Sequence, residues 1–126
     1  MRILDSNILI YVAKPAYRKL RKFVASEPVY VSAISKVEVF GYHKLNEEEE
    51  TALRRLFIAA TVFPVSDPVI EQATNLRRQK NIGTVDAVIA ATALLLGAEL
   101  VTRNTEDFKW IERLKVVNPF EQEGEI

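Results

Sequence analysis

A chain of 126 residues has room for one ordinary core and not for two domains, and its 48% hydrophobic and 27% charged residues are those of a globular protein. With no cysteine and one histidine, His43, it excludes disulfides, thiolate metal centres and thiol nucleophiles, and leaves any histidine chemistry to that single residue. The 17 Lys and Arg balance 17 Asp and Glu, so a polyanion would have to be held by local patches or by bound cations.

Residues 1–126 are expected to form one α/β domain. Arg2 to Leu4 is a short apolar run that stops at Asp5, as a buried strand ending in a carboxylate would. Another apolar run, Ile8 to Val12, follows. After Pro15, the spacing of Tyr17, Leu20 and Val24 predicts a helix with Arg18, Arg21 and Lys22 on its other face. Val29 to Ser32 is the second predicted strand. Ser35 and Glu38 have the spacing of a capping box, which would open a helix through about Lys44. Asn46 is placed to cap the next helix, with Glu47 to Glu50 as a solvated start and Leu53, Leu56, Phe57 and Ala60 as its apolar stripe.

Thr61 to Val65 is the third predicted strand. Asp67 before Pro68 reads as an N-cap for a helix to about Lys80. Thr84 opens the most apolar helix, Val85 to Leu96, which Gly97 stops. Leu100 to Thr102 is a fourth strand, Asn104 starts a short helix, and Val116–Val117 is a fifth strand. Strands alternating with helices imply a parallel sheet covered on both faces. Residues from about 120 onward, ending EQEGEI, are expected to fray. The longest apolar stretch, Ala87 to Ala98, is shorter than the roughly 20 residues that span a membrane. Asp5 interrupts the N-terminal apolar segment where a signal peptide would be uncharged. The expected compartment is the cytoplasm.

In a parallel sheet, function gathers at the carboxyl ends of the strands. Asp5 ends the first strand, Arg103, Asn104 and Asp107 follow the fourth, and Glu38 and Asp86 fall in the first turns of helices. Short right-handed connections would bring all four acids to one edge. Two carboxylates about 5 Å apart repel by roughly 3 kcal/mol at an effective dielectric near 20. A crowded set of four would rival the ~5–15 kcal/mol that holds a domain together. Helix dipoles offset only about 0.3–1 kcal/mol each. An all-oxygen set without His or Cys suits a hard dication, Mg²⁺ or Mn²⁺. Glu38, Asp86 and Asp107 each have an ordinary capping role as an alternative. Asp5, set between apolar runs, gains nothing from a cap alone and would be costly if buried without a partner.

Asp5-Ser6-Asn7, Ser35-x-x-Glu38, Val85-Asp86-Ala87-x-Ile89-Ala90-Ala91-Thr92-Ala93 and Val101-Thr102-Arg103-Asn104-x-x-Asp107-Phe108 resemble, in order and spacing, the motifs of PIN-domain ribonucleases. The VapC toxins of toxin–antitoxin pairs are the most similar branch. The resemblance implies a three-layer α/β/α sandwich with a mostly five-stranded parallel sheet. It also implies an endoribonuclease dependent on Mg²⁺ or Mn²⁺, using one or two ions, with RNA as substrate, an antitoxin as partner, and homodimerisation. By motif, Asp5, Glu38, Asp86 and Asp107 are its catalytic and metal-binding acids. Asn7, Ser35 and Asn104 match the polar positions that orient them.

Around these, Arg103 is a candidate phosphate contact, or a partner for Asp107. Arg18, Arg21 and Lys22 form a candidate RNA track, or a solvated helix face. His43 reads as a surface or half-buried helix residue, and Phe108, Trp110 and Phe120 as packing under the last helix. A phosphoacceptor of the receiver or haloacid phosphatase kind is disfavoured, because Asn7 stands where the latter needs a second acid. A non-catalytic scaffold is disfavoured by four intact acids. A PIN-domain nuclease of RNA processing remains the alternative to a toxin.

Overall fold

The computed structural model describes residues 1–122. Five parallel strands form one sheet: β1 (Arg2–Leu4), β2 (Tyr30–Ser32), β3 (Thr61–Phe63), β4 (Glu99–Val101) and β5 (Val116–Val117), in the order β3-β2-β1-β4-β5. Each strand is two or three residues long and apolar throughout its centre, as a sheet covered on both faces requires. Alternation divides the side chains. Ile3 and Leu100 face one layer, while Leu4, Val31, Val101 and Val117 face the other.

The first layer is the packed pair α5 (Asp67–Gln79) and α6 (Thr84–Leu96). The small side chains of Ala87, Ala90, Ala91 and Ala93 are fully buried there, letting α6 lie close on the sheet. Gly97 takes a left-handed φ of 62° and ends α6, a conformation that favours glycine. The second layer comprises α1 (Ser6–Val12), α2 (Arg18–Ala25), α3 (Ser35–Phe40) and α4 (Glu47–Ala59), with Leu9, Leu20, Val39 and Leu53 at its centre. Helices on both faces of a five-stranded parallel sheet make the expected three-layer α/β/α sandwich. No helix among the described residues is long and apolar enough to cross a membrane.

Several local expectations are corrected. The run Ile8 to Val12 lies in helix α1, and Asp5 is its N-cap, with an extended backbone and a carboxylate accepting from Ser6 N–H. Asp5 therefore does serve as a cap. Ser35 does not cap α3: Ile34 does so without a side-chain bond, Ser35 is already helical, and the Ser35–Glu38 capping box is absent. That helix stops at Phe40, four residues short of Lys44. At Gly41, a Cβ would stand 2.5 Å from the Val37 carbonyl oxygen. Ser66 rather than Asp67 is the N-cap of α5. β4 begins one residue earlier than expected, and β3 ends at Phe63.

Asn46 caps α4 as expected, but its acidic start is not wholly solvated. Glu49 is buried, returns a carboxylate oxygen to the Asn46 N–H, and pairs with Lys14 at 3.1 Å. Part of the stretch expected to fray takes regular structure. Pro119–Gln122 is a short helix, α7, and Phe120 packs edge-on against Tyr11 and Tyr17. The rest of the expected frayed tail, residues 123–126, lies outside the described residues.

Candidate active site

The sheet order reverses direction between β1 and β4, which opens a crevice beyond the carboxyl ends of those two strands. Asp5 sits there. Its N–H continues the ladder to the Val101 carbonyl at 2.9 Å, and its side chain turns away from the sheet with 3% exposure. One carboxylate oxygen accepts from Ser6 N–H at 2.8 Å, the other from the Thr102 hydroxyl at 2.7 Å. The Thr102 Oγ1 in turn accepts from Asn104 N–H at 3.0 Å. On the other side, the Ser6 hydroxyl donates to Ser35 Oγ at 2.9 Å. Residues from three of the four sequence motifs are thus joined in one buried network, held by neutral donors.

Two of those residues, Ser6 and Thr102, were not among the expected site positions. Both stand within the motifs quoted above, and a hydroxyl beside an acid at a strand end was the available signal. Ser35 acts as expected of an orienting residue, though through Ser6. Asn104 contributes its backbone N–H, and its side chain makes no capping bond to the 3₁₀ turn Thr105–Asp107. Asn7 is exposed in the first turn of α1.

Burial is the largest influence on Asp5 and raises its pKa. The bonds from Thr102 and Ser6 oppose this, while the charges of Glu38 and Asp107 add to it. Asp86, in the first turn of α6, is pushed up to about 6, first by burial and then by the charges of Asp5, Glu38 and Asp107. Asp5 and Asp86 therefore each lie within electrostatic reach of Glu38 and Asp107, and Asp86 of Asp5. Glu38 and Asp107 are exposed. None of the four is ion-paired to Lys or Arg among the described residues.

The gathering is looser than a crowded cluster. Among the described residues, no three acids stand close enough as placed to enclose an ion, so mutual repulsion is smaller than the charge argument assumed. The donor set still suits a hard dication: it is all oxygen, two of its members are exposed, and the proton affinities of Asp5 and Asp86 are raised.

The remaining candidates separate. Arg103 does not pair with Asp107. Its guanidinium lies 4.4 Å from the Phe120 ring centroid and 5.3 Å from that of Tyr11, and it donates to the Tyr11 hydroxyl at 3.0 Å. Arg21 donates to the carbonyls of Val12 and Ala13, at 2.8 and 3.1 Å, and so closes the end of α1. Arg18, Arg21 and Lys22 are all exposed on that helix face, with Arg21 alone of the three engaged at the end of α1. His43 is exposed and packs edge-on to Tyr42. Phe108 is buried as expected, whereas Trp110 is only partly so.

Residues 2–114 match the PIN domain family. Ribonuclease VapC1 of Rickettsia felis is 29% identical over 126 residues, covering 91% of this chain and 93% of its own. Ribonuclease VapC10 of Mycobacterium tuberculosis is 28% identical over 123 residues, covering 91% of each. A chain of a solved toxin–antitoxin complex from Klebsiella pneumoniae superposes with a TM-score of 0.81 at 30% identity, over the full length of both. With its motifs falling where the sheet order reverses, and with a match that runs from β1 past Trp110, the chain belongs to the PIN-domain family and resembles its VapC ribonucleases.

Proposed function

We propose that this protein is a divalent-metal-dependent endoribonuclease and the toxin of a type II toxin–antitoxin pair. The observation that carries the chemistry is Asp86: a carboxyl raised to about 6 by burial and three neighbouring acids, with no basic side chain paired to any of them among the described residues. Such a set has affinity left for a cation.

Asp5, Asp86 and Asp107 would hold the ion directly, and Glu38 would be a further ligand or the base that positions water. Bound there as one or two ions, Mg²⁺ or Mn²⁺ supplies Lewis acidity and neutralises charge that develops on the phosphate. The chain supplies the rest. Ser6 and Thr102 fix both oxygens of Asp5, so that its orientation need not be ordered during the reaction. Glu38, exposed at the rim, orients water for in-line attack on phosphorus. The bond from phosphorus to the 3′-oxygen breaks, the attacking water loses a proton to a carboxylate, and the 3′-oxygen gains one. The products are a 5′-phosphate and a 3′-hydroxyl.

The antitoxin enters this reading through the likeness to VapC ribonucleases and to a solved toxin–antitoxin complex, and a homodimer only through the motif resemblance given above. End mapping on total RNA, with Mn²⁺ and with chelator, tests the chemistry. Cleavage with 5′-phosphate ends that vanishes with chelator and in Asp86→Asn supports it; cleavage indifferent to both overturns it. Growth arrest relieved by the product of a neighbouring small gene distinguishes a toxin from an RNA-processing nuclease.

A further inference from the structure

A hollow of about 370 Å³ is lined by Asp86, Glu106 and Asp107 together with Lys80, Ile82 and Trp110. Two of the four site acids, Asp86 and Asp107, thus tie the hollow to the proposed chemistry. Its volume falls within the range of small-ligand sites.

Trp110 is placed there with some care. Part of its ring packs against the core beneath α5 and α6, and its Nε1–H donates to the Asp107 carbonyl at 2.9 Å. The indole plane is therefore tied to the residue that carries one of the acids. Lys80 Nζ stands 5.7 Å from the ring centroid, at the far limit of a cation–π contact. Lys80 is exposed, and no carboxylate pairs with it among the described residues. Core packing accounts for the buried part of the ring. It does not account for the part that lines an open hollow under an unpaired ammonium.

We propose that this hollow is a base-binding subsite for single-stranded RNA, in which one nucleobase stacks on Trp110 and Lys80 contacts an adjoining phosphate. A flat aromatic platform takes any base, because every base has a π-face, and the lysine beside it supplies the positive charge that the lining carboxylates lack. The inference rests on the ribonuclease reading above and adds where the strand is gripped. It also reverses the expectation that Trp110 only packs.

Trp110 is the sole tryptophan, so its fluorescence and its single indole N–H resonance report on this hollow alone. Asp86→Asn protein, mixed with a fluorescently labelled single-stranded RNA hexamer, should show saturable quenching and a shifted indole resonance. Lys80→Ala in that background should weaken the hexamer several-fold. Saturable binding, followed by anisotropy of the label, that leaves both tryptophan signals unchanged overturns the subsite.

Steady-state cleavage of a longer RNA separates stacking from mere support of Asp107. Trp110→Phe keeps a ring and loses the Nε1–H bond; Trp110→Ala loses both. Stacking raises KM roughly tenfold in the alanine variant and much less in the phenylalanine variant. An equal fall of kcat in both, at unchanged KM, overturns the subsite and leaves Trp110 as a prop. Should the alanine variant not fold, the tryptophan signals of the first experiment still decide. If the wild type cleaves no RNA with Mg²⁺ or Mn²⁺ while the hexamer still shifts the indole, the ribonuclease reading fails and the base-binding hollow stands.

Discussion

Asp5 and Glu49 are both buried carboxylates, 3% and 7% exposed, and they are satisfied in opposite ways. Glu49 accepts from the Asn46 N–H and from Lys14, which together hold its carboxyl below the usual range. It closes a capping box and anchors the start of α4 to the segment after α1. Asp5 accepts only from neutral donors, the Ser6 N–H and the Thr102 hydroxyl, faces other acids, and has its pKa raised. A buried acid with a cation in the fold is finished. One with dipoles and like charges is left with affinity to spare, and that difference separates a fastening from a working site.

The comparison can be broken by experiment. Asp5→Asn should lower metal-dependent RNA cleavage by about a thousandfold, since ion stabilisation of the transition state is worth several kcal/mol; Glu49→Gln should leave cleavage near the wild-type rate. Equal losses in both would remove the distinction. Thr102→Val deletes the neutral donor to one Asp5 oxygen, and should reduce cleavage about 10- to 100-fold at constant fold, as judged by circular dichroism.

Acidity sharpens the contrast further. In the folded chain without ions, Asp86 binds its proton with a pKa of about 6 against an ordinary 3.8. Between those values the folded state holds more protons than the unfolded one, so stability falls as pH rises through this window and levels off above it. Allowing for the partial exposure of Asp86, the loss is about 1–2 kcal/mol. Thermal melts in chelator from pH 4 to pH 8 measure it, and Mn²⁺ should restore stability at the upper end. Glu49 works in the other direction: its contribution is present above the ordinary glutamate pKa and disappears in acid. Glu49→Ala should cost about 1 kcal/mol in urea unfolding near neutral pH, the usual loss for a broken cap.

The sequence made the sheet legible because strand and helix runs alternate and differ in length. It hid α1, since a continuous apolar run such as Ile8 to Val12 reads equally as strand or helix; Asp5 as an N-cap decides it, a role that the apolar runs on either side of this acid conceal. The four acids were legible by motif. Their surroundings were not. Thr102 reaches Asp5 across 97 positions of chain, and only the pairing of β1 with β4 brings them together. Glu49 was hidden by company: in a run of four glutamates, its spacing from Asn46 marks it out, but local polarity suggests that all four are solvated.

The two layers meet in one further respect. Glu38 rides on α3 and Asp86 on α6, on opposite faces of the sheet, while Asp5 stands at the seam. Local opening of either layer would carry away one carboxylate and leave its fellows stranded. On the proposed assignment of these acids, a chain that has loosened on one side is catalytically mute, even with the other side intact, and turnover counts only molecules closed on both.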